Sequence, residues 1–145
     1  MHALSVLLVN DNLVSNFIHS EVLKLDGHET RLVENGLEAV QELRRDPPDV
    51  VVMDIDMPVM NGIEALRVMR DEQESGILPY IGVVVTSGLL DDDRRLVIQS
   101  LDVQAIHAKP MDILLFRESV MSVGAIVRQR RCGAASLGWK SAGEA

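Results

Sequence analysis

The sequence predicts an α/β fold: a five-stranded parallel sheet, doubly wound, with helices over both of its faces. Three observations carry this. Short apolar runs alternate in strict order with longer segments whose apolar residues recur at helical spacing, making five β–α pairs. The first, third and fourth runs ("LSVLLV", "VVVM", "YIGVVVT") are almost wholly apolar, as suits strands covered on both faces. Hydrophobic residues are 47% of the chain and aromatics only 3%, so the core must be aliphatic, with methionine as filler.

The first strand is read at residues 4–9. Leu13, Phe17, Ile18, Val22 and Leu25 then mark a helix, and Gly27 suits the position just past its end. Residues 29–33 form a shorter second strand, read as a sheet edge, and the Asn35-Gly36 turn leads into helical "LEAVQELRR". The break Asp46-Pro47-Pro48-Asp49 precedes strand three at 50–53, and helix three is expected from 62 to about 72. A loop, "QESGILP", separates it from strand four at 80–86. Helix four lies in "LLDDDRRLVIQSL", with Asp91, Asp92 and Asp93 as a solvated start favoured by the helix dipole. Strand five is "VQAIHA", and helix five runs from 112 to about 131. Residues 1–131 are therefore one domain, and 132–145, rich in small residues and carrying Trp139, form a flexible tail.

Composition excludes several function classes. A net charge of −8 argues against a nucleic-acid surface, which needs a basic face. The basic "RQRR" at 128–131 reads only as a solvated helix end. No apolar run approaches the roughly 20 residues that span a bilayer, and the opening "MHALSVLLVNDN" lacks the basic segment of a signal peptide. A single cysteine, Cys132, allows no internal disulfide and fits a reducing cytoplasm.

Parallel sheets of this kind hold ligands at the carboxyl ends of their strands, at a topological switch point. Strand one ends in Asn10-Asp11, strand three in Asp54 with Asp56 beyond it, strand four in Thr86-Ser87, and strand five in His107-Ala108-Lys109-Pro110. The chemistry these groups share is phosphoryl transfer to a carboxylate. An aspartate is a competent phosphoryl acceptor. Asp11 and Asp54 brought together would repel unless a cation lay between them, and Mg²⁺, a hard ion that takes oxygen ligands and keeps its waters, fits. Lys109 and Thr86 then supply an ammonium and a hydroxyl for the phosphoryl oxygens.

These residues resemble a response-regulator receiver domain of the chemotaxis type, whether a single-domain protein or the receiver of a hybrid histidine kinase. "DIDMPVMNG" matches that family's D-x-x-M-P-x-M-x-G signature at every fixed position, and "VVVTS", "AKP", "PDVVVMD" and "NGLEAV" are similar in kind and order. The likeness spans about residues 5–129. It implies a flavodoxin-like (βα)5 fold with strand order 2-1-3-4-5. It further implies Asp54 as the phosphorylated residue and Asp11, Asp54 and the backbone carbonyl of Asp56 as Mg²⁺ ligands. Lys109 would bind phosphate ahead of a cis Pro110, and Thr86 would act as the switch hydroxyl. The implied donor is a phosphohistidine on a histidine kinase or phosphotransfer domain. Output would pass through the helix 4–strand 5–helix 5 surface, to a downstream protein or a second copy.

Three positions depart from the family pattern. Asn10 stands where an aspartate usually reaches the metal through water; it is read either as the cap of helix one or as a weak, water-mediated ligand. The lost charge weakens Mg²⁺ binding without abolishing it, since Asp11, the closer ligand, remains. Ile106 replaces the aromatic switch residue, and Ser87 replaces a common alanine. His19, His28 and His107 are expected on surfaces or strand edges, without zinc-ligand spacing. Three functions follow: a phosphoacceptor signalling module rather than a turnover enzyme, a degenerate receiver that docks without phosphorylation, or a haloacid-dehalogenase-type phosphatase suggested by D-x-D at a strand end.

Overall fold

The computed structural model describes residues 3–137, with side chains through Cys132. The chain alternates β1 (Ser5–Val9), α1 (Leu13–Leu25), β2 (Glu29–Val33), α2 (Gly36–Arg45), β3 (Val50–Asp54), α3 (Gly62–Glu74), β4 (Gly82–Ser87), α4 (Asp92–Gln99), β5 (Ala105–Ala108) and α5 (Ile113–Leu137). All strands pair in parallel, in the order β2-β1-β3-β4-β5. The order reverses between β1 and β3, so a crevice opens at their carboxyl ends.

Period-two alternation divides the apolar residues into two cores. Val6, Leu8, Val50, Val52 and Val84 face Leu23 of α1 and Phe116, Val120, Val123 and Val127 of α5. Leu7, Val9, Val51, Met53, Val83 and Val85 face α2, α3 and α4 through residues such as Leu43, Leu66, Met69 and Ile98. Each such side chain contributes about 1.5–3 kcal/mol when fully buried, and the strands are consequently the rigid base of the rim above them. Side-chain caps fix where the helices begin. Asn12, Asn35, Asn61 and Asp91 each accept a backbone N–H in the first turn that follows, and Asn61 with Glu64 completes a capping box.

Several expectations need correction. The cap of α1 is Asn12, not Asn10; Asn10 is buried and accepts the Asn12 N–H through Oδ1 at 2.9 Å. Helix α5 continues to Leu137 instead of ending near Arg131, while Trp139 and the rest of the tail from 138 lie outside the described residues. The "RQRR" segment is not merely solvated. Arg131 pairs with Asp49 at 2.8 Å and donates to the carbonyls of Pro48 and Tyr80, Arg128 donates to Ala3, and Arg130 stacks over Tyr80. The reason is that α5 reaches across the amino ends of β1, β3 and β4, where carbonyls and Asp49 need donors. His28 is buried at 4% exposure, its Nδ1 accepting the Leu4 N–H, and Met121 is an exposed methionine rather than filler.

Candidate functional site

Asp54 closes β3, the strand between β1 and β4, and is 1% exposed. The register sets Thr86 directly opposite it on β4, and Asn10 follows Val9, which pairs with Met53 one step earlier. Lys109 leaves the end of β5, its N–H donating to the Ser87 carbonyl, and extends Nζ to Asp54 Oδ1 at 2.9 Å. The Lys109–Pro110 peptide is cis. Four strands thus bring Asn10, Asp54, Thr86 and Lys109 to one rim.

The carboxylate of Asp54 is unevenly satisfied. Oδ1 takes the Lys109 ammonium and, at 3.3 Å, the Asp56 N–H, whereas Oδ2 is buried without a hydrogen-bond partner. Burial pushes the Asp54 carboxyl above its ordinary range, and the hydrogen bond and charge of Lys109 pull back only part of the way. A buried anionic oxygen left without a donor costs stability, and a hard cation would remove that cost. Asp11 sits exposed in the turn just past Asn10, and among the described residues no ion pair engages its carboxylate. Among the described residues no three acidic, histidine or cysteine side chains converge as a closed metal cage. The sparse donor set that the resemblance implies, Asp54, Asp11 and the Asp56 carbonyl, would suit an ion that keeps several waters, as magnesium does.

The flanks are specific too. A cleft of about 320 Å³ beside Asp54 is lined by Asn10, Asn12, Ser15, His19, Thr86, Lys109, Pro110 and Met111. Burial first, then the charge of Lys109, holds the His19 imidazole below its ordinary value. Next to this cleft the outer face of α1 exposes Leu13, Val14, Phe17 and Ile18. Ile106, opposite Val85, is partly buried and packs beside Leu90, Leu101 and Val103 against the α2–α3–α4 core.

One residue of the rim, Arg94, escapes sequence reasoning, and so does the engagement of the Asp56 side chain. The Asp56 carboxylate turns away from Asp54: Oδ1 pairs with Arg94 Nη2 at 2.9 Å, and Oδ2 accepts from Ser87 Oγ at 3.2 Å. Arg94 stands in the first turn of α4 and also donates to the Leu89 carbonyl. An isolated arginine on a helix face carries no motif, so only the fold reveals this partnership.

The chain belongs to the response regulator receiver domain family, whose model matches residues 6–120. It is 30% identical over 118 residues to the polar-differentiation response regulator DivK of Brucella anthropi, covering 81% of this chain and 94% of that protein. Among solved structures it resembles a CheY-like receiver domain protein from Methanospirillum hungatei (TM-score 0.80, 15% identity, 89% of this chain and 99% of that one). It also resembles the chemotaxis response regulator CheY4 of Vibrio cholerae (TM-score 0.73, 20% identity, 84% and 99%). At such identities these structures speak to the fold. The chain is the receiver domain of a two-component response regulator, a class that works with histidine kinases and output partners. Among the described residues no helix is long and apolar enough to cross a membrane.

Proposed function

We propose that Asp54 accepts a phosphoryl group from a phosphohistidine and that the charge so gained reshapes the rim. The observation that carries this reading is Asp54 itself: a buried carboxylate with one oxygen on Lys109 and the other unpartnered. In the transfer an Asp54 oxygen attacks phosphorus, the N–P bond of the donor breaks, and the imidazole leaves with the bonding pair. Lys109 moves with the charge, from the carboxylate to a phosphoryl oxygen, and Thr86 turns its hydroxyl toward another. Asp11, Asp54 and the Asp56 carbonyl would hold Mg²⁺, with Asn10 a weak contributor; the ion supplies neutralisation of the phosphoryl oxygens when bound. The apolar outer face of α1, adjoining the cleft, fits a helical donor domain that must bring its histidine to this rim. Output through α4, β5 and α5 is favoured by the partly exposed edge strand β5 and by Leu115 and Ile126 exposed on α5.

The phosphatase reading loses support because the second aspartate of D-x-D is engaged by Arg94 and Ser87, and is not free for acid/base work. Acetyl phosphate with Mg²⁺ tests the proposal. The intact chain should gain the mass of one phosphoryl group, and Asp54→Ala should not. No gain by the intact chain would favour a receiver that docks without phosphorylation.

A further inference from the structure

Both loops that flank Asp54 are held by one residue outside the acceptor motif. The first loop follows β3 and contains Asp56, whose N–H touches Asp54 Oδ1. The second follows Thr86 and runs Ser87-Gly88-Leu89. Asp56 Oδ2 accepts from Ser87 Oγ at 3.2 Å and from the Gly88 N–H at 3.4 Å. The single hydrogen of the Ser87 hydroxyl is shared between Asp56 Oδ2 and the Leu89 carbonyl, 3.0 Å away, and Ser87 Oγ accepts the Leu89 N–H at 3.2 Å. Arg94 closes the ring, with Nη2 on Asp56 Oδ1 at 2.9 Å and Nη1 on the Leu89 carbonyl at 3.2 Å. Ser87 is fully buried, and the Arg94 side chain is only 24% exposed, so the ring is shielded on one side.

We propose that Arg94 is a positioning residue of the acceptor site, a clasp from α4 that stabilises the unphosphorylated arrangement of both loops. The inference rests on the phosphoacceptor reading above. Its logic is linkage. In the arrangement described, Lys109 is bonded to the bare carboxylate, and the clasp exists together with that contact. Thr86 immediately precedes Ser87, so a swing of its hydroxyl toward a phosphoryl group draws on the same loop that Asp56 and Arg94 hold. Contacts made only in the resting arrangement oppose the phosphorylated one by their own free energy. A partly exposed ion pair of this kind corresponds to a shift of about two- to fivefold. The clasp also accounts for the side-chain direction of Asp56: Arg94 and Ser87 hold its carboxylate toward α4 and away from Asp54.

The test is a titration of the whole chain with fluoroberyllate, a phosphoryl mimic, at saturating Mg²⁺ so that changes in metal affinity drop out. Amide NMR signals of Thr86, Gly88 and Leu89 report binding and report that each variant is folded. Arg94→Ala and Asp56→Asn should each tighten the mimic about two- to fivefold, Arg94→Lys should restore most of the original affinity, and Arg94→Ala should add nothing in the Asp56→Asn background. Arg94→Ala affinity that is unchanged or weaker, or effects that add in the double variant, overturns the clasp. Failure of the unaltered chain to bind the mimic at all overturns instead the phosphoacceptor reading.

Discussion

Replacing Asp54 by asparagine should make the protein more stable. In Asp54→Asn the amide oxygen still accepts from Lys109 and the Asp56 N–H, while the buried, unpartnered Oδ2 loses its charge. An unsatisfied buried charged oxygen costs upwards of about 1–3 kcal/mol, against which the carboxylate gains a charge-assisted bond of about 1.5–3 kcal/mol from Lys109. That gain must be discounted, because the lysine side chain is 37% exposed and its charge is screened by water. The new amide also leaves a buried donor, which is cheaper than an orphaned charge. We expect a net gain of about 1–2 kcal/mol, or about 3–8 °C in Tm for a domain of this size.

The pH dependence follows from the direction of the Asp54 shift. Its carboxyl is raised in the folded state, first by burial, so the proton is held more tightly folded than unfolded. The associated stability is therefore complete below the unfolded value, about 3.9, and is lost as pH rises through the folded value. Thermal melts without divalent cations should show Asp54→Asn and the unaltered chain converging toward about pH 4 and separating, as pH rises through the folded value of Asp54, to a constant gap above it. Magnesium should then stabilise only the unaltered chain, by about 1.4 kcal/mol at ten times its Kd. A variant that melts at or below the unaltered chain at pH 7 would show that Lys109 outweighs burial, and the account of a strained acceptor would fall.

Two further predictions concern the frame around the site. At Gly62 a Cβ would lie 2.5 Å from the Asp54 carbonyl and 2.9 Å from Ile55 Cα, both backbone atoms of a buried segment. Gly62→Ala should therefore lose about 1–3 kcal/mol despite its better helix propensity and should slow phosphorylation by acetyl phosphate; an unchanged Tm would refute the contact. His28 is held neutral, mainly by burial with a smaller push from Arg128 and opposed by Asp26, so its contribution is present above about pH 6.5 and lost as pH falls through its lowered folded value. Protonation removes the acceptor of the Leu4 N–H, so acidification from pH 7 to 5 should cost the unaltered chain about 1–3 kcal/mol more than His28→Gln, read from parallel melts.

The fold was legible because several signals agreed: apolar strands, helical spacing, the Asn35-Gly36 turn and the break at Asp46-Pro47-Pro48-Asp49 all pointed to one topology. The helix caps at Asn12, Asn35 and Asn61, by contrast, were not read from the sequence. The rim was legible for a narrower reason. Strand ends must carry the functional groups in such sheets, so Asn10, Asp54, Thr86 and Lys109 could be collected before their distances were known. What escaped were contacts made across the fold by residue types with bland local readings. His28 follows a helix-ending Gly27 and looks like surface, yet it is buried because the chain there turns directly under the first residues of β1. The arginines at 128–131 look solvated because nothing local reveals Asp49 and the Tyr80 carbonyl opposite them.

The same contrast separates the two aspartates of "DID". Spacing along a strand predicts that Asp54 and Asp56 point to the same side, and a reader of the sequence pairs them in one chemistry. The strand, however, stops at Asp54, and the chain turns, so that the following N–H returns to its carboxylate. From there the environments diverge. Asp54 meets a buried pocket that leaves one oxygen without a donor; Asp56 meets Arg94, Ser87 and Gly88, which together serve both of its oxygens. An unsatisfied carboxylate is a place for chemistry, and a satisfied one is a hinge point for structure. Exchanging their identities by substitution would not exchange their roles, because the difference lies in the donors that the β4–α4 loop brings to one and withholds from the other.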